Sequence, residues 1–519
     1  MTDKKMNGAE SLVHTLLANG VDVCFTNPGT SEMHFVAALD HIPGMRSILA
    51  LQEGVATGAA DGYFRMAGKP ASTLLHLGPG LANGLSNLHN AKKAGSGIVN
   101  IVGEHASTHI ALDAPLTSDI EGIARPVSHW VHTSHSAATV GKDAAAAVQA
   151  AMMAPGQIAT LILPSDTAWD DGGVAHDALE TPVSAPFDDS MLALAVAALD
   201  GPESLLLLGG AALTESNLEI AGRIAAQTGC KLLSEWSNAR LERGAGRVAI
   251  ERVPYPIDIA LEVLEPYKRI VLVGARAPIG FFAYPGKPAI LTREGADILT
   301  LADAGADLSG AISALADAAG AAQTPPAHVA KHNLPERPTG PISPDTLAAA
   351  LARAIPENAI IVDESVTTGR AFFPATQGAA KHTWLNNCGG SIGYGMPAAI
   401  GAAIACPDRK VMALTGDGSA MYTVQSLWTM ARENLDITVL IFANRSYQIL
   451  RGELTNVGVD NPGPRAIDML SLDRPALDWV QMSRSMGVEA CRVDDCEALE
   501  TAMDTGLSTP SPYLIQVDL

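Results

Sequence analysis

KVMALTGDGSAMYTVQSLWTMARENLDITVLIFAN, residues 410–444, holds two apolar β-type runs with a glycine-rich turn and a helical stretch between them. Residues 410–415 read as a buried strand, GDGSA as the turn, Met421 to Glu433 as a helix and 437–443 as the next strand. This is one βαβ unit, and its right-handed crossover returns the second strand parallel to the first. Asn444 follows Asp417 by 27 residues, so both fall at the carboxyl edge of the sheet. Neighbouring strands lie about 4.8 Å apart, a span that one cation bridges. A carboxylate and an amide oxygen are hard ligands suited to Mg2+ or Ca2+, and Mg2+ usually completes its octahedron with phosphate oxygens and water. The predicted ligand is a metal diphosphate, with Gly416 and Gly418 admitting the backbone to the phosphates and the following helix aiming N–H groups at the charge. An ordinary strand-to-helix turn with Asp417 as the N-cap is the competing reading of the tripeptide alone.

Outward from this unit, the same alternation of short β-type runs and Ala-rich helical stretches fills the chain, as at Ala71 to Leu77, Ser204 to Leu208, Arg269 to Val273 and Ala359 to Val362. Two stretches interrupt it, Ser165 to Ser190 and the proline-rich Gln323 to Ser343, so the 519 residues divide into 1–165, 190–322 and 343–519. The expected fold class is α/β, with three doubly wound parallel-sheet domains. A hydrophobic share of 47% with 17% charged residues suits well-covered cores, and no apolar run approaches the ~18 residues of a membrane span. The N-terminal MTDKKMNGAESLVHTLL lacks the apolar region of a cleaved leader, which makes the cytoplasm the expected location. A net charge of −21 repels phosphate backbones and argues against a nucleic-acid partner. The six cysteines are scattered without a Cys-x-x-Cys pair and read as reduced, structural thiols.

GDGSA followed by Asn444 resembles the thiamine diphosphate (ThDP) motif. The C-terminal domain is similar to those of acetolactate synthase, benzoylformate decarboxylase and pyruvate decarboxylase, and the resemblance spans nearly the whole chain. It implies that Asp417 and Asn444 ligate Mg2+ by their side chains and Ser446 by its carbonyl, while Gly416, Gly418, Ser419 and Tyr447 line the cofactor's diphosphate end. The family often has two adjacent asparagines here, whereas Ala443 precedes Asn444 in this chain. NNCGGSIGYG, from Asn386, resembles the segment whose glycine carbonyl, here Gly390, accepts from the cofactor's amino group and whose bulky apolar residue, here Ile392, supports the thiazolium. Thr367 in DESVTTG stands for a diphosphate contact or a helix cap. In the first domain, ALQEGVATGAADGYF resembles the segment with the activating carboxylate, here Glu53, at a strand end facing a helix start; a plain helix N-terminal charge is its bland reading. FTNPGTSEMHF resembles the NPG loop of benzoylformate decarboxylase, with Pro28 near the pyrimidine and Thr30 in the pocket. The family pairs the carboxylate domain of one subunit with the diphosphate domain of another, which implies at least a homodimer, with a homotetramer as the expected assembly.

LLHLGPGLANG mixes two subfamilies: His76 matches the pocket histidine of benzoylformate decarboxylase, and Gly78-Pro79-Gly80 matches acetolactate synthase. His76 is the candidate acid–base group. IVGEHASTH adds Glu104, His105 and His109 as pocket candidates, with Glu104 where acetolactate synthase commonly has Gln. His129, His132 and His135 read as incidental rather than metal-binding. The middle domain lacks a full G-x-G-x-x-G, so a nicotinamide nucleotide is weakly supported; FAD, held there in acetolactate synthases, is left open. Phe281, Phe282 and Tyr284 stand where benzoylformate decarboxylase has a second histidine, Leu450 where pyruvate decarboxylase has a proton-donating Glu, and Glu453 where acetolactate synthase has its acceptor-selecting Trp. The function implied is decarboxylation of a small 2-oxo acid and transfer of the resulting enamine to a second carbonyl. Decarboxylation to an aldehyde, as in benzoylformate decarboxylase, is the alternative.

Overall fold

The computed structural model describes residues 5–519; residues 1–4, where the first domain and the leader reading begin, lie outside the described residues. The first sheet is built from β1 (Val23–Asn27), β2 (Arg46–Leu49), β3 (Ala71–Leu75), β4 (Ile98–Glu104), β5 (Trp130–Thr133) and β6 (Ile158–Pro164), in the order β2-β1-β3-β4-β6-β5, every pair parallel. The second holds β7 (Ser204–Leu208), β8 (Lys231–Ser234), β10 (Glu251–Arg252), β11 (Arg269–Val273) and β12 (Asp297–Ala302), in the order β10-β8-β7-β11-β12. The third runs β17-β18-β16-β15-β13-β14-β9, from β13 (Ala359–Glu364), β14 (His382–Asn386), β15 (Val411–Gly416), β16 (Ile437–Ala443), β17 (Glu489–Val493), β18 (Tyr513–Asp518) and β9 (Leu241–Arg243). Strand β9 comes from the middle of the chain and pairs antiparallel with β14, so the third sheet borrows an edge from outside its own stretch of sequence.

The central strands β4, β6, β7 and β16 are buried along their whole length, as expected of parallel sheets covered by helices on both faces. Among the described residues no helix is long and apolar enough to cross a membrane, and none of the six cysteines is joined to another.

One element differs from the expectation. In place of a continuous helix over Met421–Glu433 there is a helical turn at Asp417–Ala420, a 3-10 turn at Met421–Thr423 and a helix at Ser426–Arg432. Gly416, not Asp417, occupies the N-cap. The break lets Thr423 Oγ1 donate to Gly393 O at 3.0 Å, so this segment is shaped by the glycine-rich loop beside it rather than by helical periodicity.

Two helices join the first and third sheets: α1 (Glu53–Ala67) and α3 (Gly395–Ala405), with α2 (Leu77–Ala94) packed on α1. α1 and α3 meet backbone to backbone. A Cβ on Gly62 would stand 2.0 Å from Ala398 O, and one on Gly401 would stand 1.9 Å from Ala59 O, so glycine is required at this crossing.

Candidate functional site

Parallel strands deliver every chain end to one edge, and the candidate groups gather there in two clusters. At the carboxyl edge of the first sheet, Pro28–Glu32 follow β1, Glu53 follows β2, His76 follows β3, and Glu104 ends β4 with His105 after it. At the same edge of the third sheet, Thr367 follows β13, Gly390 and Ile392 follow β14, Asp417 follows β15, and Asn444, Ser446 and Tyr447 follow β16.

In the second cluster, Asp417 Oδ2 accepts from Arg445 N at 2.8 Å and Oδ1 from Gly418 N at 2.9 Å, which folds the 444–446 turn onto the carboxylate. Arg445 takes a left-handed φ of 53° to make that turn, and Asn444 Oδ1 accepts from Ser446 N at 3.0 Å. Burial pushes the Asp417 carboxyl above its ordinary range, against the two backbone donors that lower it. A desolvated carboxylate beside an amide oxygen and a backbone carbonyl is a hard donor set, and its chemistry fits Mg2+. Among the described residues no group of three His, Cys, Asp or Glu side chains is arranged to hold a metal, and His132 Nε2 lies 3.3 Å from Asp143 Oδ1. Gly418 is covered by the Tyr447 ring, whose Cε1 lies 2.6 Å from where a Cβ would be, while nothing crowds Gly416 closer than Ser419 Oγ at 4.0 Å. Ser419 is buried, and Thr367 opens a 3-10 turn without capping it.

Gly390 is exposed at φ 77°, with Ile392 half-buried two residues on. Their loop is braced by a polar stripe on α2: Asn87 Nδ2 donates to Gly393 O at 3.1 Å, Asn90 Nδ2 to Ser391 O at 2.8 Å, and Ser391 N to Asn90 Oδ1 at 3.1 Å. From the other side Glu364, fully buried with its carboxyl pushed up by desolvation, accepts from Tyr394 N, Gly395 N and Thr415 Oγ1 at 2.9, 3.0 and 3.1 Å. Phe281 lies against Gly390, 2.9 Å from its absent Cβ, in an aromatic set with Trp236, Tyr255 and Phe282. Tyr284 Oη donates to Glu453 Oε2 at 2.6 Å. Leu450 is 44% exposed on the same helix, α4 (Gln448–Asn456).

In the first cluster, Glu53 is the first residue of α1 and accepts from Asn83 Nδ2 at 3.0 Å. Gly80 separates it from His76: a Cβ there would be 3.2 Å from Glu53 Oε1 and 3.3 Å from His76 Cβ. Pro28 is half-buried and Thr30 exposed. Ser165 Oγ donates to Glu104 O at 2.9 Å and lies 3.4 Å from Ser31 O, between the 28–32 turn and the end of β4. Glu104 accepts from His105 N at 2.7 Å and is held above its ordinary carboxyl range by burial. The His105 ring lies tilted against His109 with centroids 5.4 Å apart, and its Nε2 has no partner among the described residues.

Three polar groups here escaped the sequence reading. Glu364 ends the apolar run AIIVDE, where an acid at a strand end was a usable signal. The Asn83, Asn87, Asn90 stripe has i, i+4, i+7 spacing on a helix otherwise read only for glycines. Glu32 sits three residues after Gly29 and accepts Gly29 N at 2.7 Å, a capping-box spacing, but nothing in sequence signals that it also reaches His76.

Comparison with known proteins agrees along the length of the chain. The family described as "Thiamine pyrophosphate enzyme, C-terminal TPP binding domain" matches residues 367–517, and "Thiamine pyrophosphate enzyme, N-terminal TPP binding domain" matches 6–125. The chain is 49% identical over 516 residues, 99% of each protein, to "Putative acetolactate synthase large subunit IlvX" of Mycobacterium tuberculosis. It is 30% identical over 527 residues, 97% of each, to benzoylformate decarboxylase of Pseudomonas aeruginosa. A thiamine diphosphate-dependent 4-hydroxybenzoylformate decarboxylase of Rhodococcus jostii RHA1 shares the fold, with a TM-score of 0.86 over 99% of both chains at 23% identity.

Proposed function

The chain belongs to the thiamine pyrophosphate enzymes of acetolactate synthase and benzoylformate decarboxylase type, and from that premise we propose that it decarboxylates a small 2-oxo acid and joins the remaining fragment to a second carbonyl. The observation that carries the cofactor assignment is the 444–446 turn folded onto the buried Asp417 carboxylate beside Gly416 and Gly418. Asp417, Asn444 and the Ser446 carbonyl would hold Mg2+ against a diphosphate, with Ser419, Thr367 and Tyr447 around it. Gly390 and Ile392 would receive the rest of the cofactor. Bound thiamine diphosphate supplies a nucleophilic carbon and a cationic ring that takes up the electron pair left when CO2 departs.

The remaining work falls to the chain's own side chains. Glu53, largely withdrawn from water, would hold and return a proton at the pyrimidine of a bound cofactor. His76 exchanges protons with substrate oxygens, and Thr30, Glu104, His105 and Leu450 border the substrate. Neither decarboxylation nor carboligation has a net transfer of electrons to a second acceptor, so the reading requires no FAD. The first cluster of one subunit faces the second cluster of its partner, which makes a homodimer the smallest active unit, within a homotetramer. Exposed Leu51 beside Glu53, and exposed Met421 and Tyr422 after GDGSA, are apolar rims that such a contact would cover.

Carboligation is favoured by the 49% identity to a protein named as an acetolactate synthase large subunit. Release of an aldehyde is the second reading, favoured by His76 in hydrogen-bond contact with a buried carboxylate, a device suited to delivering a proton. The test is incubation with pyruvate, 2-oxobutyrate and phenylglyoxylate, together with ThDP and Mg2+, and identification of products. Acetohydroxy acids support carboligation; aldehyde alone overturns it.

A further inference from the structure

The carboxylate beneath His76 belongs to Glu32, a residue with no role of its own in the reading above. Glu32 Oε2 stands 2.9 Å from His76 Nδ1 and accepts from Gly29 N at 2.7 Å. The Glu32 side chain is 1% exposed, whereas the imidazole is 24% exposed. The acid is therefore inside the fold and the ring at its surface. Two glycines clear the space for the pair. A Cβ at Gly29 would fall 2.1 Å from His76 Nδ1, and one at Gly103 would fall 1.7 Å from Glu32 Oε1. No other side chain fits at either position without displacing the pair. Among the described residues the second carboxylate oxygen, Oε1, has no hydrogen-bond partner, and Oε2 carries both contacts.

The chemistry of such a pair is set by which ring nitrogen bears hydrogen. A carboxylate only accepts, so the ring must present N–H at Nδ1, and the lone pair of the neutral imidazole is then at Nε2. We propose that Glu32 is a positioning residue for His76: it fixes the Nδ1–H tautomer and the ring plane, so that Nε2 at the cleft is the atom that exchanges protons with substrate. This rests on the acid–base reading of His76. In the step, a substrate O–H bond breaks as the Nε2–H bond forms. The imidazolium so produced keeps its Nδ1–H bond to Glu32, whose negative charge offsets the new positive one, and the same proton later returns from Nε2. Glu32 touches neither substrate nor cofactor; it acts through the ring.

The test uses the full-length protein with 15N-labelled histidine at alkaline pH, where no cofactor or turnover is needed, and with His76→Asn to identify the signal. The expected wild-type spectrum has Nδ1 protonated and Nε2 bare. Glu32→Gln, which retains an acceptor oxygen, keeps this pattern, and Glu32→Met reverses it. In turnover assays Glu32→Met loses about 10²-fold in kcat, the lower end of general acid–base contributions. Its KM and its ThDP affinity by calorimetry stay within about threefold, and Glu32→Gln recovers most of the loss. Because Glu32 acts through His76, Glu32→Met adds no further loss in a His76→Asn background. A wild-type His76 protonated at Nε2, or losses that multiply in the double variant, overturns the proposal. A His76→Asn enzyme with wild-type kcat instead overturns the acid–base reading of His76, a failure told apart from the first because the tautomer is read without turnover.

Discussion

Glu53→Gln separates chemistry from folding in this site more cleanly than any other substitution. The side chain keeps its size, and its amide oxygen can still accept from Asn83 Nδ2, which donates to the native carboxylate at 3.0 Å. The helix loses a favourable charge at its first residue, a stability cost of about 0.3–1 kcal/mol. What disappears is a group able to hold and return a proton in a water-poor position, and general acid–base groups contribute roughly 10²–10⁴ in rate. A loss of that size corresponds to about 3–5 kcal/mol in the barrier. The expected enzyme therefore melts within a few degrees of wild type, binds ThDP and Mg2+ in calorimetry, and turns over at least about a hundredfold more slowly. Product formation by chromatography, with saturating cofactor, reads the rate, and thermal melting reads the fold. Wild-type turnover in a folded, cofactor-bound Glu53→Gln enzyme would refute the assignment of the carboxylate, and a loss traced wholly to cofactor affinity would refute its catalytic role.

Asp417→Ala should abolish measurable Mg2+-dependent ThDP binding in calorimetry. It should also lower stability in urea by about 2–4 kcal/mol, because Arg445 N and Gly418 N both lose their acceptor. Arg65→Met should cost about 3–5 kcal/mol in the same assay, since it strands the fully buried Asp61 carboxylate; Arg65→Met with Asp61→Leu should recover much of that. Burial, together with the neighbouring Arg243 charge, holds His382 down to about 3 from the usual 6.5, so the unfolded chain takes up its proton first and stability falls as pH drops below 6.5 toward 3. From pH 8 to pH 5 this group should remove roughly 2 kcal/mol, and His382→Gln should flatten the urea-derived profile by that amount; an unchanged slope would count against the neutral buried ring.

The fold was legible because fully buried parallel strands leave long apolar runs, and the βαβ spacing alone put Asp417 and Asn444 on one edge. What the sequence could not carry was anything decided by contact between distant segments. The helix expected from Met421 to Glu433 is broken because Thr423 turns to Gly393 O, thirty residues earlier. β9 joins the third sheet because Leu241–Arg243 finds β14, a pairing without local signal. Glu32 reads as a capping-box acid from its spacing to Gly29, yet its second partner, His76, is 44 residues away. Gly62 and Gly401 lie in stretches that read as helical, and nothing local signals that they are glycine for the close approach of two helices.

That crossing bears on how the two clusters are coordinated. α1 begins at Glu53 and, twelve residues on, places Arg65 where Nη1 donates to Asn386 O at 2.6 Å and to Tyr394 Oη at 2.8 Å, the two ends of the loop that carries Gly390 and Ile392. Asp61 holds the same guanidinium through two bonds at 2.8 and 2.7 Å. Asn87 completes the brace, donating to Gly54 O and to Gly393 O from one amide nitrogen. The helix that presents the candidate proton-holding acid is therefore locked to the loop that would receive the cofactor, over a contact with no room for a methyl group. A rigid link of this kind fixes each cluster relative to the other within a chain. If the clusters act across a subunit contact, as proposed, one cluster cannot shift to suit a ligand without moving its twin in the second site, since each chain supplies one half to both. The two sites of a dimer are then expected to respond to cofactor together, and the physical route for that coupling is the Gly62–Gly401 crossing and the Arg65 clamp.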